Sequence, residues 1–205
     1  MGLSPAALRA AVERANAAMP GLEQELNAAD SKLGDGDTGG MLARLVGGLA
    51  KAPVPAEADL GAAFSAYAKA AATATGSSLG TLFATALLTM SKATRGKPEV
   101  AWSELSPLLE GAREAMMARG GAKLGDKTVL DALDAVAAAT RGLDDPGAIG
   151  GAATAAAEDA LARFRDQPNR IGRARMFADA SVGLDDPGML AFARLTKVLA
   201  GAPRD

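Results

Sequence analysis

Twelve residues, Asp30-Ser31-Lys32-Leu33-Gly34-Asp35-Gly36-Asp37-Thr38-Gly39-Gly40-Met41, place three carboxylates, Asp30, Asp35 and Asp37, within eight positions and interleave them with four glycines. Carboxylates this dense repel one another unless a positive charge sits among them. A hard, oxygen-seeking cation such as Mg²⁺ does this and usually keeps coordination positions open for phosphate oxygens. Glycines let the backbone take unusual φ and approach a ligand closely, and they leave N–H groups free to cradle an anion. The local reading is a metal-phosphate site on a loop between two helices. A plain solvated turn stands beside it, because Asp-Gly pairs are common in turns. An EF-hand loop fits poorly: the twelfth position from Asp30 is Met41, where that loop needs Glu.

Three further glycine-bearing junctions could share such a site. Gly76-Ser77-Ser78-Leu79-Gly80 lacks the Lys-Ser/Thr ending of a P-loop, so it reads either as a nucleotide contact or as close helix packing. Gly125-Asp126-Lys127-Thr128 reads first as a helix N-cap with charge near the helix start. Leu143-Asp144-Asp145-Pro146-Gly147 recurs as Leu184-Asp185-Asp186-Pro187-Gly188, and both copies look like helix starts with Asp as N-cap and Pro at the first helical position. The second copy follows Arg170, Arg173 and Arg175, where a ligand role is plausible.

Composition limits what chemistry is available. The chain has no cysteine, which excludes disulfides, thiolate zinc sites and cysteine nucleophiles. It has no histidine, which removes the commonest general base and the commonest transition-metal ligand. A net charge of −2 offers no basic footprint for nucleic acid. No charged segment followed by an apolar core opens the chain, and no long uncharged apolar run crosses a membrane, so the cytoplasm is the expected location.

The elements that must position these residues are helical. Alanine is abundant, aromatics are 3%, and β-branched residues are sparse. The 205 residues read as a single all-α domain, with no linker long enough to divide it. Ser4-Pro5 opens a first helix, which Pro20-Gly21 is expected to break, with a second over Leu22–Lys32 ending at the acidic loop. Further helices are expected from about Thr38 to Lys51, Asp59 to Thr75, Thr81 to Thr94, Ser103 to Arg119, Lys127 to Arg141, Asp145 to Asp166 and Asp186 to Ala200. Short connections predict antiparallel neighbours. In an up-and-down bundle the loops after alternate helices lie at one end, and helix N-termini there offer N–H groups and partial positive charge to an anion.

Taken together the junctions resemble the nucleotide-binding subunit, or C-terminal kinase domain, of the dihydroxyacetone kinases. That family's Gly-Asp-Gly-Asp-x-Gly, with a further Asp five residues ahead, is matched by Asp30, Asp35 and Asp37. Its Gly-rich loop is matched in part at Gly76–Leu82, its Gly-Asp-Lys-Thr at Gly125–Thr128, and its Gly-Arg-Ala and Asp-Pro-Gly at Gly172-Arg173-Ala174 and Asp186-Pro187-Gly188. The motifs keep the family order and span nearly the whole chain.

The resemblance implies a barrel of about eight antiparallel amphipathic helices with nucleotide, ATP or tightly bound ADP, at one end. Asp30, Asp35 and Asp37 would hold two Mg²⁺ ions. Thr38, Gly39, Gly40 and Met41 would line the phosphates, with Ser78 and Leu79 touching the same region. Gly120, Val129, Arg173, Asp186, Pro187 and Gly188 would surround the rest of the nucleotide. Three positions depart from the family: Leu79 removes an expected hydroxyl, Thr38 stands where some members carry His, and Val129 replaces a frequent Met. In this family a histidine of a different domain holds the ketone covalently. The resemblance therefore implies a phosphotransferase that needs a substrate-binding dihydroxyacetone kinase subunit as partner. The donor would be free ATP or a phosphotransferase-system protein that recharges bound ADP. A non-catalytic nucleotide-binding regulatory module, and a kinase for another short ketose or polyol such as erythrulose, are the alternatives.

Overall fold

The computed structural model describes residues 2–201, and among them eight α-helices make up nearly all regular structure: α1 (Pro5–Asp30), α2 (Thr38–Ala50), α3 (Leu60–Ala74), α4 (Ser78–Ala93), α5 (Leu105–Gly120), α6 (Val129–Ala139), α7 (Pro146–Phe164) and α8 (Pro187–Ala200). One isolated antiparallel bridge joins Leu3 to Val100. Each helix packs on the next in sequence, and α8 returns to pack on α1, so the bundle closes into a ring. Alternation then puts the α1–α2, α3–α4, α5–α6 and α7–α8 connections at one end.

Most helix starts follow from their first residues. Ser4, Asp59, Ser77, Asp145 and Asp186 each accept the N–H three residues on, satisfying one of the donors a helix start leaves free. Thr128 and Asp131 form a reciprocal capping box on α6. The first Leu-Asp-Asp-Pro-Gly copy is only such a cap, at the far end from the acidic loop.

Pro20 does not break the first helix. α1 is continuous from Pro5 to Asp30 with Pro20 inside it. The residue lacks an N–H and forgoes one helical bond, at a cost of about 3 kcal/mol. Met19 and Leu26, on either side, are both buried in the main core, and each contributes roughly 1.5–3 kcal/mol when fully buried. Two boundaries also move at the site end. α4 opens at Ser78, earlier than Thr81, so Ser78 and Leu79 occupy its first turn. α6 opens at Val129 because Lys127 takes φ +60, outside the helical region.

The core is built of leucine and alanine from every helix. A second cluster, Ala86, Ala112, Met116, Ala122, Leu130 and Leu133, joins α4, α5 and α6. Leu82, Val129 and Ile171 pack against it and form the apolar wall described next.

Candidate functional site

A cavity of about 540 Å³ opens at the end where the four alternate connections meet. Its wall takes Asp30 from the C-terminus of α1, Thr38 from the start of α2, and Ser78 and Leu79 from the start of α4. Gly120 ends α5, Val129 begins α6, and Asp186, Pro187 and Gly188 begin α8. Arg173 reaches it from a short 3₁₀ turn between α7 and α8. One side is apolar, with Leu82, Ala122, Val129, Leu130 and Ile171.

The acidic corner is organised by α1. Asp30 is 8% exposed, and its Oδ2 accepts the N–H groups of Asp37 at 2.9 Å and Thr38 at 3.2 Å. Asn27, one turn earlier, accepts those of Gly39 at 2.8 Å and Gly40 at 3.2 Å. Two side chains of α1 thus absorb the four N–H groups at the start of α2. Asp37 occupies the N-cap position yet makes no side-chain cap bond, so its carboxylate stays free to face a cation. One oxygen from each of Asp30, Asp35 and Asp37 lies within 4.8 Å of the others. An octahedral Mg²⁺ shell with bonds near 2.1 Å spaces its oxygens roughly 3–4 Å apart, so a small closure of the loop would seat such an ion. Carboxylate oxygens alone form the donor set, and they suit Mg²⁺ better than a softer metal.

Arg173 pairs with Asp35 and bridges the α1–α2 loop to the α7–α8 loop across the cavity mouth. Desolvation works to raise the Asp35 pKa, but the hydrogen bond and positive charge of Arg173, together with hydrogen bonds within the loop, outweigh it and hold the carboxyl below its ordinary value.

Gly39, Gly40 and Met41 are not among the residues that line the cavity. Met41 is buried in the main core, and the two glycine N–H groups point to Asn27. Gly39 is instead a packing residue: a Cβ there would lie 2.2 Å from the Glu23 carbonyl oxygen. Gly80 likewise would meet the Thr75 methyl at 2.2 Å, so close packing explains the second glycine of that loop. Ser78 and Leu79 are the first two residues of α4, whose N–H groups have no carbonyl one turn back. The Leu79 N–H is available to an anion whatever its side chain.

Asp186 has two roles. Its Oδ1 caps α8 through the Met189 N–H at 2.9 Å, and its Oδ2 accepts from Asn169 Nδ2 at 2.9 Å. Burial pushes its pKa up to about 6 despite the Met189 and Asn169 hydrogen bonds and the nearby Lys127 charge. A carboxyl raised in the folded state binds its proton more tightly there than in the unfolded chain, so stability falls as pH rises from about 4 to about 6 and then levels. Thermal melts of the protein and of Asp186→Asn should show this. The wild type should lose stability relative to the variant across that window, and a pH-independent difference would rule the effect out.

Several wall and support residues escape sequence reasoning: Asn27, Leu33, Leu82, Arg119, Ala122, Lys127, Asn169 and Ile171. Leu33, Leu82 and Lys127 lie inside motifs the sequence singles out without a role of their own, and Asn27 stands one turn before Asp30 on the same helix face.

The chain is thus a closed ring of antiparallel helices with an acidic corner, helix N-termini and an arginine around one end cavity. The chain belongs to the DAK2 domain family, whose model matches residues 32–201. It is 32% identical over 174 residues to the PEP-dependent dihydroxyacetone kinase 1, ADP-binding subunit DhaL of Listeria innocua, covering 84% of each chain. It is 30% identical over 207 residues to the triokinase/FMN cyclase of Rattus norvegicus, covering 97% of this chain and 35% of that one. The crystal structure of the dihydroxyacetone kinase from C. freundii in complex with AMP-PNP and Mg²⁺ superposes with a TM-score of 0.75 at 25% identity, over 99% of this chain and 35% of that chain. The chain therefore spans about a third of the longer relatives and most of the Listeria subunit.

Proposed function

We propose that this chain is the nucleotide-binding, phosphoryl-transferring subunit of a dihydroxyacetone-type kinase, acting as one domain on a short ketose held by a partner subunit. The observation that carries this is a single cavity that joins the free start of α4 to an apolar wall and meets the acidic corner at Asp30, whose carboxylate lies beside those of Asp35 and Asp37. These suit, in that order, phosphate, nucleobase and metal. Likeness to proteins described as an ADP-binding subunit and as a complex with AMP-PNP and Mg²⁺ supports the same ligand.

Asp30, Asp35 and Asp37 would hold two Mg²⁺ ions. When bound, the metal neutralises phosphate charge and aligns the transferred group, which is most of what phosphoryl transfer requires. The chain's own residues do the rest. The N–H groups of Ser78 and Leu79 receive phosphate oxygens at a helix start. Leu82, Val129 and Ile171 shield an aromatic base from water. Arg173 supplies a positive charge at the mouth. Because the chain has no histidine, the ketone has no imidazole to bind here, and acceptor chemistry falls to the partner.

Likeness to an ADP-binding subunit of a PEP-dependent kinase supports bound ADP as a coenzyme recharged by a phosphotransferase-system protein, and likeness to a kinase in complex with AMP-PNP supports exchange of free ATP. No described helix is long and apolar enough to cross a membrane, in keeping with work in the cytoplasm. Purified chain passed through a desalting column should retain ADP and about two Mg²⁺. With ATP and dihydroxyacetone alone it should not turn over, and a substrate-binding kinase subunit should restore transfer. Robust turnover by the isolated chain would overturn the division of labour. Nucleotide binding without transfer in the presence of both partners would favour a regulatory module.

A further inference from the structure

Lys127 is fully buried and absent from the cavity wall. Its ammonium donates to three backbone carbonyls: Arg165 at 3.0 Å, Gln167 at 2.7 Å and Ser181 at 2.8 Å. All three hydrogens are used. The first two carbonyls stand where the α7–α8 connection leaves α7, and the third stands shortly before α8 begins. One side chain therefore ties together the two ends of the segment that carries Arg173.

The surroundings are built to the same purpose. Asn169, 1% exposed, donates from Nδ2 to the Lys127 carbonyl at 2.9 Å and to Asp186. Ser181, also buried, takes the Asn169 N–H on its Oγ at 2.9 Å. The Arg170 N–H reaches the Asp126 carbonyl at 3.1 Å, and the Gly183 N–H reaches the Arg165 carbonyl at 2.9 Å. Lys127 is also the one non-glycine residue with positive φ among the described residues. Such a conformation persists only where surrounding structure over-determines it. Burial lowers the Lys127 pKa, while Asp186, Asp185 and Asp166 oppose that shift.

We propose that Lys127 is a positioning residue for the nucleotide site: through these three carbonyls it holds the 165–181 segment so that Arg173 closes over the acidic corner at Asp35. This rests on the nucleotide reading above. An apolar side chain would leave three buried carbonyls unpaired, and the segment would loosen while the helical ring kept its own packing.

A double-mutant cycle tests it, with Mg-ADP titrated into the 205-residue chain by calorimetry. Lys127→Met and Arg173→Ala should each weaken Mg-ADP by about tenfold, and the double variant should be no weaker than the poorer single one, because the lysine acts through the arginine. In parallel, hydrogen exchange at the amides of Asn169 and Gly183 should speed up in Lys127→Met, while those of α1–α3 stay protected. If Lys127→Met does not fold, the same cycle and exchange comparison are run with Lys127→Gln, which keeps an N–H donor. Multiplying effects in the double variant would overturn the proposal, as would unchanged affinity in Arg173→Ala or unchanged exchange at the two amides. A wild-type protein that ignores Mg-ADP would instead refute the nucleotide reading, and the exchange result would still judge the lysine.

Discussion

Asp30→Ala and Asp37→Ala should each reduce partner-coupled phosphoryl transfer by about three orders of magnitude, since metal-borne charge stabilisation supplies most of the catalysis in this chemistry. Only Asp30→Ala should also destabilise the fold. Asp30 is nearly buried and its Oδ2 accepts the Asp37 and Thr38 N–H groups. Removing it strips the cap from α2 and leaves two donors without their partner, at a cost of about 2 kcal/mol. For a chain of this length that lowers Tm by roughly 4–8 °C. Asp37 is exposed and makes no cap bond. Its removal relieves repulsion among three clustered acids and should leave Tm in EDTA unchanged or slightly higher. Added Mg²⁺ with ADP should raise the wild-type Tm, because a ligand of the folded state stabilises it by mass action, and should raise neither variant's to the same extent. Melts with EDTA and with Mg-ADP, beside the coupled assay, separate the two aspartates. Equal stability losses would show that Asp30 is not the residue that organises the corner.

The features legible in the sequence are those whose physics is local. Helix starts at Ser4, Asp145 and Asp186 are fixed by residues within four positions. The acidic loop betrays itself because three carboxylates in eight positions need a reason. An alanine-rich chain with few aromatics has one economical way to bury surface, and that is helix on helix. What stayed hidden depends on distant partners. Lys127 looks like a charge at a helix start, but its ammonium is held by carbonyls 38 to 54 residues away. Asn169 sits in a stretch without pattern and matters because it touches Lys127 and Asp186. Pro20 misleads because its cost is local and its compensation, the burial of Met19 and Leu26, is tertiary. The closure of α8 on α1 leaves no trace in the spacing of either helix.

Gly39→Ala and Gly40→Ala should have opposite effects, although the two residues are neighbours in one helix. A Cβ at Gly39 would sit 2.2 Å from the Glu23 carbonyl oxygen, 2.9 Å from its carbonyl carbon and 2.8 Å from Asn27 Oδ1. The first two are backbone atoms of α1, so relief requires the helices to part. Parting them withdraws Asn27 and Asp30 from the N–H groups of α2. Overpacking together with loss of that cap should cost about 3 kcal/mol or more, a fall in Tm of roughly 6–12 °C. At Gly40 the nearest atoms to a Cβ are Glu23 Oε1 at 3.5 Å and an Arg44 guanidinium nitrogen at 3.6 Å, both ordinary contacts at the ends of flexible side chains. Alanine is favoured over glycine inside a helix by about 1 kcal/mol, so Gly40→Ala should raise Tm by roughly 2–4 °C. Denaturant melts on both variants measure the difference directly. A mild Gly39→Ala would mean that α1 and α2 are less closely apposed at Glu23. It would also loosen the argument that these two helices set the spacing of the acidic corner, because Asp30 and Asp37 are held together across that same contact.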